Sequence, residues 1–147
     1  MKEELIKHIL DADFEEAVKI AWSMPHEDLS EHIIEAAFDR GSLIFYTFVC
    51  HMITKYEDFK LHDLAFVLLA SPLCHLEGAY FSALFHARKS VELTEQKDIG
   101  SLEQLVFLQG IPDPVLSDEE AISACRKILQ LDPEHETATE ILKELCQ

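Results

Sequence analysis

Chain breakers are scarce and well spaced here, which limits the chain to helices joined by short turns. Its 147 residues hold only four glycines and five prolines. Nearly all of them fall between apolar runs whose residues recur every three or four positions, the helical period. An all-α fold follows. Leu5, Ile6, Ile9 and Leu10 line one side of a first helix over Glu3 to Leu10. Asp13, with Glu16 three residues on, has the form of a capping box and opens a second helix. Phe14, Ala17, Val18, Ala21 and Trp22 form its apolar stripe, and Pro25 stops it.

Asp28 with Glu31 reads as the start of a third helix, carrying Leu29, Ile33, Ala36 and Ala37, with Gly41 as a left-handed C-cap. Ser42 caps a fourth, whose body from Leu43 to Tyr56 is apolar almost all round and belongs in the interior. A fifth runs from Leu61 to Ser71 and ends at Pro72, and a sixth runs from about Leu76 to Leu93. Ser101 with Gln104 is expected to cap a seventh, containing Leu102, Leu105, Val106 and Leu108. Gly110-Ile111-Pro112-Asp113-Pro114 is a loop. Ser117-Asp118-Glu119-Glu120 is a full capping box for an eighth helix, and Asp132-Pro133 is expected to start the last at Pro133. Nine helices with connections of two to seven residues fit one domain over 1–147, in which antiparallel neighbours stack in sequence.

Charge narrows the partners. The chain has 28 acidic and 12 basic residues, a formal net charge of −16. Each half carries 14 acids against six bases, so no acidic tail explains the excess. Nucleic acid and anionic membrane surfaces, which gain affinity from clustered Lys and Arg, are poor partners for such a surface. A basic protein or peptide is the natural one. The two most apolar stretches, Leu43 to Ile53 and Leu64 to Leu76, are too short to span a bilayer. Met1-Lys2-Glu3-Glu4 leads into an acidic amphipathic segment unlike a signal or transit peptide. Cys50, Cys74, Cys125 and Cys146 contain no Cys-x-x-Cys pair and read as reduced thiols. A cytoplasmic protein is the expectation.

The last 30 residues carry a more specific pattern. From Ser117 the chain reads Ser-Asp-Glu-Glu-Ala-Ile-Ser-Ala-Cys-Arg-Lys-Ile-Leu-Gln-Leu-Asp-Pro-Glu-His, followed by Ala138 and Leu142. This stretch, to Leu145, resembles the second helix of a tetratricopeptide repeat, its Asp-Pro junction and the opening helix of the next unit. Ala121 stands where that family packs its two helices closely, and Pro133 stands twelve residues later, as the family places it. Ala83 through Glu95 echoes the outline with Glu95 in the proline's place, 38 residues before the Ala121 unit where the family period is about 34. Asp13 to Val18 is a third, fainter echo, and the helices between them, with Phe45, Tyr46, Phe48 and Phe66, do not follow the pattern. The resemblance implies antiparallel hairpins stacked as a short right-handed superhelix and a non-catalytic adaptor or scaffold role.

Catalytic signals are absent: there is no Gly-x-Ser-x-Gly, phosphate-binding loop, dinucleotide fingerprint or His-Glu-x-x-His. No catalytic residue, cofactor or metal is expected. Cys50-His51 and Cys74-His75 are adjacent pairs that point about 100° apart on a helix and grip one ion poorly. A mixed site from Cys50, Cys74 and His86 requires the fourth to sixth helices to meet, and structural zinc sites ordinarily show closer local spacing. Cys50 and Cys125 therefore read as small core residues, and most aromatics, Tyr46, Tyr56 and Tyr80 among them, as core. Phe81 and Phe85, four apart, lie off the Tyr80, Ala83, Ala87 stripe, and either face a further helix or anchor a partner. The expected partner-binding residues are these two phenylalanines with the acid clusters Glu27, Asp28, Glu31, Glu35 and Asp118, Glu119, Glu120. An alternative reading is an immunity or inhibitor protein whose charge mimics nucleic acid and neutralises a basic toxin such as a nuclease.

Overall fold

A computed structural model describes all 147 residues, with nine α-helices, 71% of the chain helical and no strand. The helices are α1 (Lys2–Leu10), α2 (Phe14–Trp22), α3 (His26–Arg40), α4 (Ile44–Lys55) and α5 (Phe59–Ala70). Beyond them lie α6 (Ala79–Leu93), α7 (Ile99–Phe107), α8 (Asp118–Leu131) and α9 (Glu136–Leu145). No helix is long and apolar enough to cross a membrane.

The number of helices matches the sequence reading, while several boundaries move for identifiable reasons. Ser117 does cap α8: its Oγ accepts from the Glu120 N–H at 3.2 Å. Gly41 closes α3 at φ 62°. Asp13 makes no cap bond, because its carboxylate accepts from His8 Nδ1 at 3.1 Å. Helix α3 begins two residues before Asp28, directly after Pro25. Asp98, not Ser101, caps α7, accepting the Ser101 N–H at 2.8 Å while Ser101 itself is buried. Pro133 lies in a turn before α9, which starts after His135, whose Nδ1 accepts from the Ala138 N–H at 3.1 Å. Helix α6 starts at Ala79, and the connections 71–78 and 108–117 exceed the expected lengths.

Packing divides at α5. Leu61, Leu64, Ala65 and Leu68 join a core built with α1–α4 around Phe45, Phe48, Leu5 and Ile33. Phe66 and Leu69, on its other side, join a second core with α6–α9 around Ala83, Leu102, Cys125 and Ile128. Being buried on both sides explains why α5 is apolar nearly all round. From α5 onward each helix packs on the next, as expected. The first half departs from that order: α1 touches α4 and α3 as well as α2, so α1–α4 form a cluster. Helix α6 meets α5 along Ala79, Ala83 and Ala87, all at most 3% exposed, and this is the most extensive helix pairing in the molecule. Small side chains at that spacing let two helices approach closely.

The weak echo at Glu95 also finds its physical reason. Glu95 and Gln96 have φ of 54° and 61°, and proline's ring holds φ near −65°. A proline cannot occupy that turn.

Ala121 is completely buried at the α8 contacts with α7 and α9. Ala121→Phe should overpack it and cost about 1 to 3 kcal/mol. Urea unfolding checks this, and an unchanged midpoint would place Ala121 away from the helix contact.

Candidate functional site

Where α5 meets α6, the interface is polar at its centre. The buried stripe of α6 continues from Ala83 to His86 and Ser90, and α5 presents His62 three residues before Ala65 on its own buried face. His62 and His86 are each 2% exposed. Their Nδ1 atoms lie 2.9 Å apart. His62 Nε2 lies 2.9 Å from the carboxylate of Glu57, in the α4–α5 turn. On the other side, His86 Nε2 lies 2.8 Å from the hydroxyl of Tyr46 on α4. Cys50 lies one helical turn along from Tyr46 on α4.

The donors follow from the Glu57 end, because an ionised carboxylate only accepts. His62 therefore donates from Nε2 and, when neutral, accepts at Nδ1. His86 must donate from Nδ1 and accept at Nε2, so the Tyr46 hydroxyl donates to it. Every link of the chain from Tyr46 to Glu57 runs in one direction, and each ring nitrogen of His62 and His86 has a partner. Burial, reinforced by the charge His62 carries when protonated, holds the His86 imidazole down at about 4. The hydrogen bond from His62, and then Lys89, keeps Glu57 below the usual carboxylate range. Burial raises the Tyr46 phenol and the Cys50 thiol, so both stay protonated near neutrality.

A second polar run joins α5, α6 and α7. Asp63 Oδ1 lies 2.6 Å from Ser90 Oγ, which lies 2.7 Å from Ser101 Oγ, which lies 2.9 Å from Asp98 Oδ2. Ser90 donates to Asp63 and Ser101 to Asp98, so the two touching hydroxyls link carboxylates on α5 and at the start of α7. Burial raises the Asp63 carboxyl above its ordinary value, partly opposed by the Ser90 hydrogen bond.

Cys50, Cys74 and His86 do not come together as a group that could hold an ion. No three His, Cys, Asp or Glu side chains converge to hold an ion. Cys50, on α4, and Cys74, beyond the end of α5, are both half-buried free thiols. Cys125 is core, as expected.

Of the expected binding residues, Phe81 and Phe85 are exposed, 69% and 57%, on one face of α6. Phe85 is also held from beneath: its ring stands edge-on to His86 and His62, with centroids 5.0 and 6.4 Å away. The acids stay apart as two groups. Glu27 and Asp28 occupy the first turn of α3, Glu31 is exposed on it, and Glu35 pairs with Lys2 at 3.0 Å. On α8, Asp118 accepts from Gln109 at 3.2 Å, Glu119 is exposed, and Glu120 pairs with Arg88 of α6. Trp22 and Tyr56, expected in the core, are 55% and 66% exposed. Sequence reasoning considered His86 only as a metal ligand and missed His62, Glu57 and the Asp63–Ser90–Ser101 run. The available signal was their position at helical spacing from buried alanines.

No protein-family model matches the chain, and no curated protein or solved structure matches it.

Proposed function

We propose that this chain is a non-catalytic protein- or peptide-binding module of the cytoplasm, acting as an adaptor or scaffold. It engages a basic partner through the α6 face that carries Phe81 and Phe85. The observation that carries this reading is that aromatic pair, exposed on one helix face in a chain of net charge −16. Exposed aromatics at helical spacing are anchors, and the chain's net charge of −16 favours a cationic partner. The polar seam supports a structural role beneath that face. Its two imidazoles are sealed from solvent, so no substrate reaches them, while their rings fix the position of Phe85. In this reading the hairpins stack as a short right-handed superhelix, with tetratricopeptide-like units clearest over 117–145. The buried Ala121 and Ala138 at the α8–α9 junction support that stacking.

Wild-type protein and a Phe81→Ser/Phe85→Ser variant, used to capture partners from the source cell, test the reading. A partner held by the first and lost by the second supports it, and equal retention overturns it. Carboxylates spread over both halves of the chain favour a second reading, an immunity-type inhibitor that blocks a basic toxin such as a nuclease. A single stoichiometric nuclease-like partner, inhibited on binding, would select it over the adaptor.

Electrostatic steering gives a further expectation. Association rate constants with the captured partner should fall steeply between low and physiological salt while dissociation changes little, because screening over a Debye length of about 8 to 10 Å acts on the encounter. Charge reversal within Glu27, Asp28, Glu31 and Glu35, or within Asp118, Glu119 and Glu120, should slow association on the engaged face. Stopped-flow rates insensitive to salt would remove steering from the account.

A further inference from the structure

The Tyr56–Glu57–Asp58 turn has the histidine seam on one side, through Glu57, and an apolar cleft on the other. Leu29 of α3, Met52 of α4 and Leu61 of α5 form its floor, and Trp22 and Tyr56 stand at its mouth. Its volume is about 250 Å³, below the roughly 300 Å³ at which small-molecule sites begin and suited to one large apolar side chain. Trp22 and Tyr56, each more than half exposed, flank an apolar floor in which Leu29, Met52 and Leu61 are at most 5% exposed. Trp and Tyr are the residue types that most often dominate binding contacts.

Charge identifies the occupant. Asp58 lies on the rim, and Glu27 and Asp28 follow the rim residue His26 in the first turn of α3. Against these three acids stand Lys60, which acts on His26, and Lys55, already paired with Glu15 at 3.3 Å. We infer that the Trp22–Tyr56 cleft is a socket for one large apolar side chain flanked by lysine or arginine on the partner segment. The inference rests on the binding-module reading and adds a second point of engagement away from Phe81 and Phe85.

Trp22 is the chain's one tryptophan, so its fluorescence reports the cleft directly. The probes are two blocked pentapeptides, Lys-Lys-Leu-Lys-Lys and Lys-Lys-Ala-Lys-Lys, titrated to millimolar concentration at low salt. The leucine peptide should change the Trp22 emission saturably and bind about tenfold or more tightly than the alanine peptide, the difference expected from burying a leucine side chain. Tyr56→Ala, at an exposed position that leaves the fold intact, should weaken the leucine peptide severalfold. Glu27→Lys with Asp28→Lys should weaken both peptides. Phe81→Ser with Phe85→Ser should leave the leucine peptide unaffected. Equal affinity of the two peptides, indifference to Tyr56→Ala, or no emission change overturns the socket. In those cases the binding-module reading stands or falls separately, on capture by the Phe81→Ser/Phe85→Ser variant.

Discussion

Acidification from pH 6.5 to pH 4 is expected to remove about 3 kcal/mol of folding stability through one side chain, His86. Its imidazole is held at about 4 in the folded protein against an ordinary 6.5, chiefly by burial. In that interval the unfolded chain binds a proton at this position and the folded chain does not. Stability therefore rises with pH across the window, is fully present above 6.5, and is lost as pH falls through the folded value. The interval of roughly 2.5 pH units, at about 1.36 kcal/mol each, sets the magnitude. His26, also lowered by burial and by Lys60, acts in the same direction. Asp63 acts in the opposite one: its carboxyl is raised, so the folded state holds a proton that the unfolded state releases, and acid relieves that cost. An NMR titration of the imidazole resonances should find His86 still neutral at pH 5. In His86→Gln, the slope of stability against pH between 4 and 6.5 should flatten. Titration of His86 near 6.5 would show that the pair is open to water.

Removing both histidines of the seam should cost less than the sum of removing each alone. His86→Leu leaves the Tyr46 hydroxyl and His62 Nδ1 without the partners they have at 2.8 and 2.9 Å. Each stranded polar group costs about 1 to 3 kcal/mol. His62→Leu strands His86 Nδ1 in the same way, although Glu57, with its side chain 43% exposed, turns to water at little cost. The double variant His62→Leu/His86→Leu removes both halves of the central bond and strands only the Tyr46 hydroxyl. Its destabilisation should fall short of the sum of the singles by about 1 kcal/mol or more, the signature of direct coupling in a double-mutant cycle. Urea unfolding at pH 7 measures all three. Strict additivity would mean that the two rings do not bond each other.

The acid window and the coupling have one structural origin. A buried imidazole pair tolerates a single direction of hydrogen bonding, set at one end by an ionised carboxylate. Protonating both rings would place two N–H groups against each other across 2.9 Å. Phe85, edge-on to both rings, is the exposed residue through which that seam meets the surface.

Local chemistry determined the helices. The spacing of Ala17, Ala21, Leu29 and Ile33 sufficed to place α2 and α3, and Ser117 and Gly41 marked helix ends that the fold keeps, because capping is settled within one turn of chain. The burial of Ala121 and the exposure of Phe81 and Phe85 were likewise consistent with periodicity alone. Long-range contacts decided the rest. Asp13 had the form of a cap until His8 competed for its carboxylate, and Ser101 had the form of a cap until packing against Ser90 buried it. Trp22 kept its place on a helical stripe and still reached solvent, because a stripe wider than the neighbouring helices leaves its edge uncovered. The histidine seam joins residues 40 and 24 positions apart, and no local spacing encodes that convergence. Only the close approach of α5 and α6 along Ala79, Ala83 and Ala87 brings Glu57, His62, His86 and Tyr46 into one line, and only burial in that contact fixes their protons.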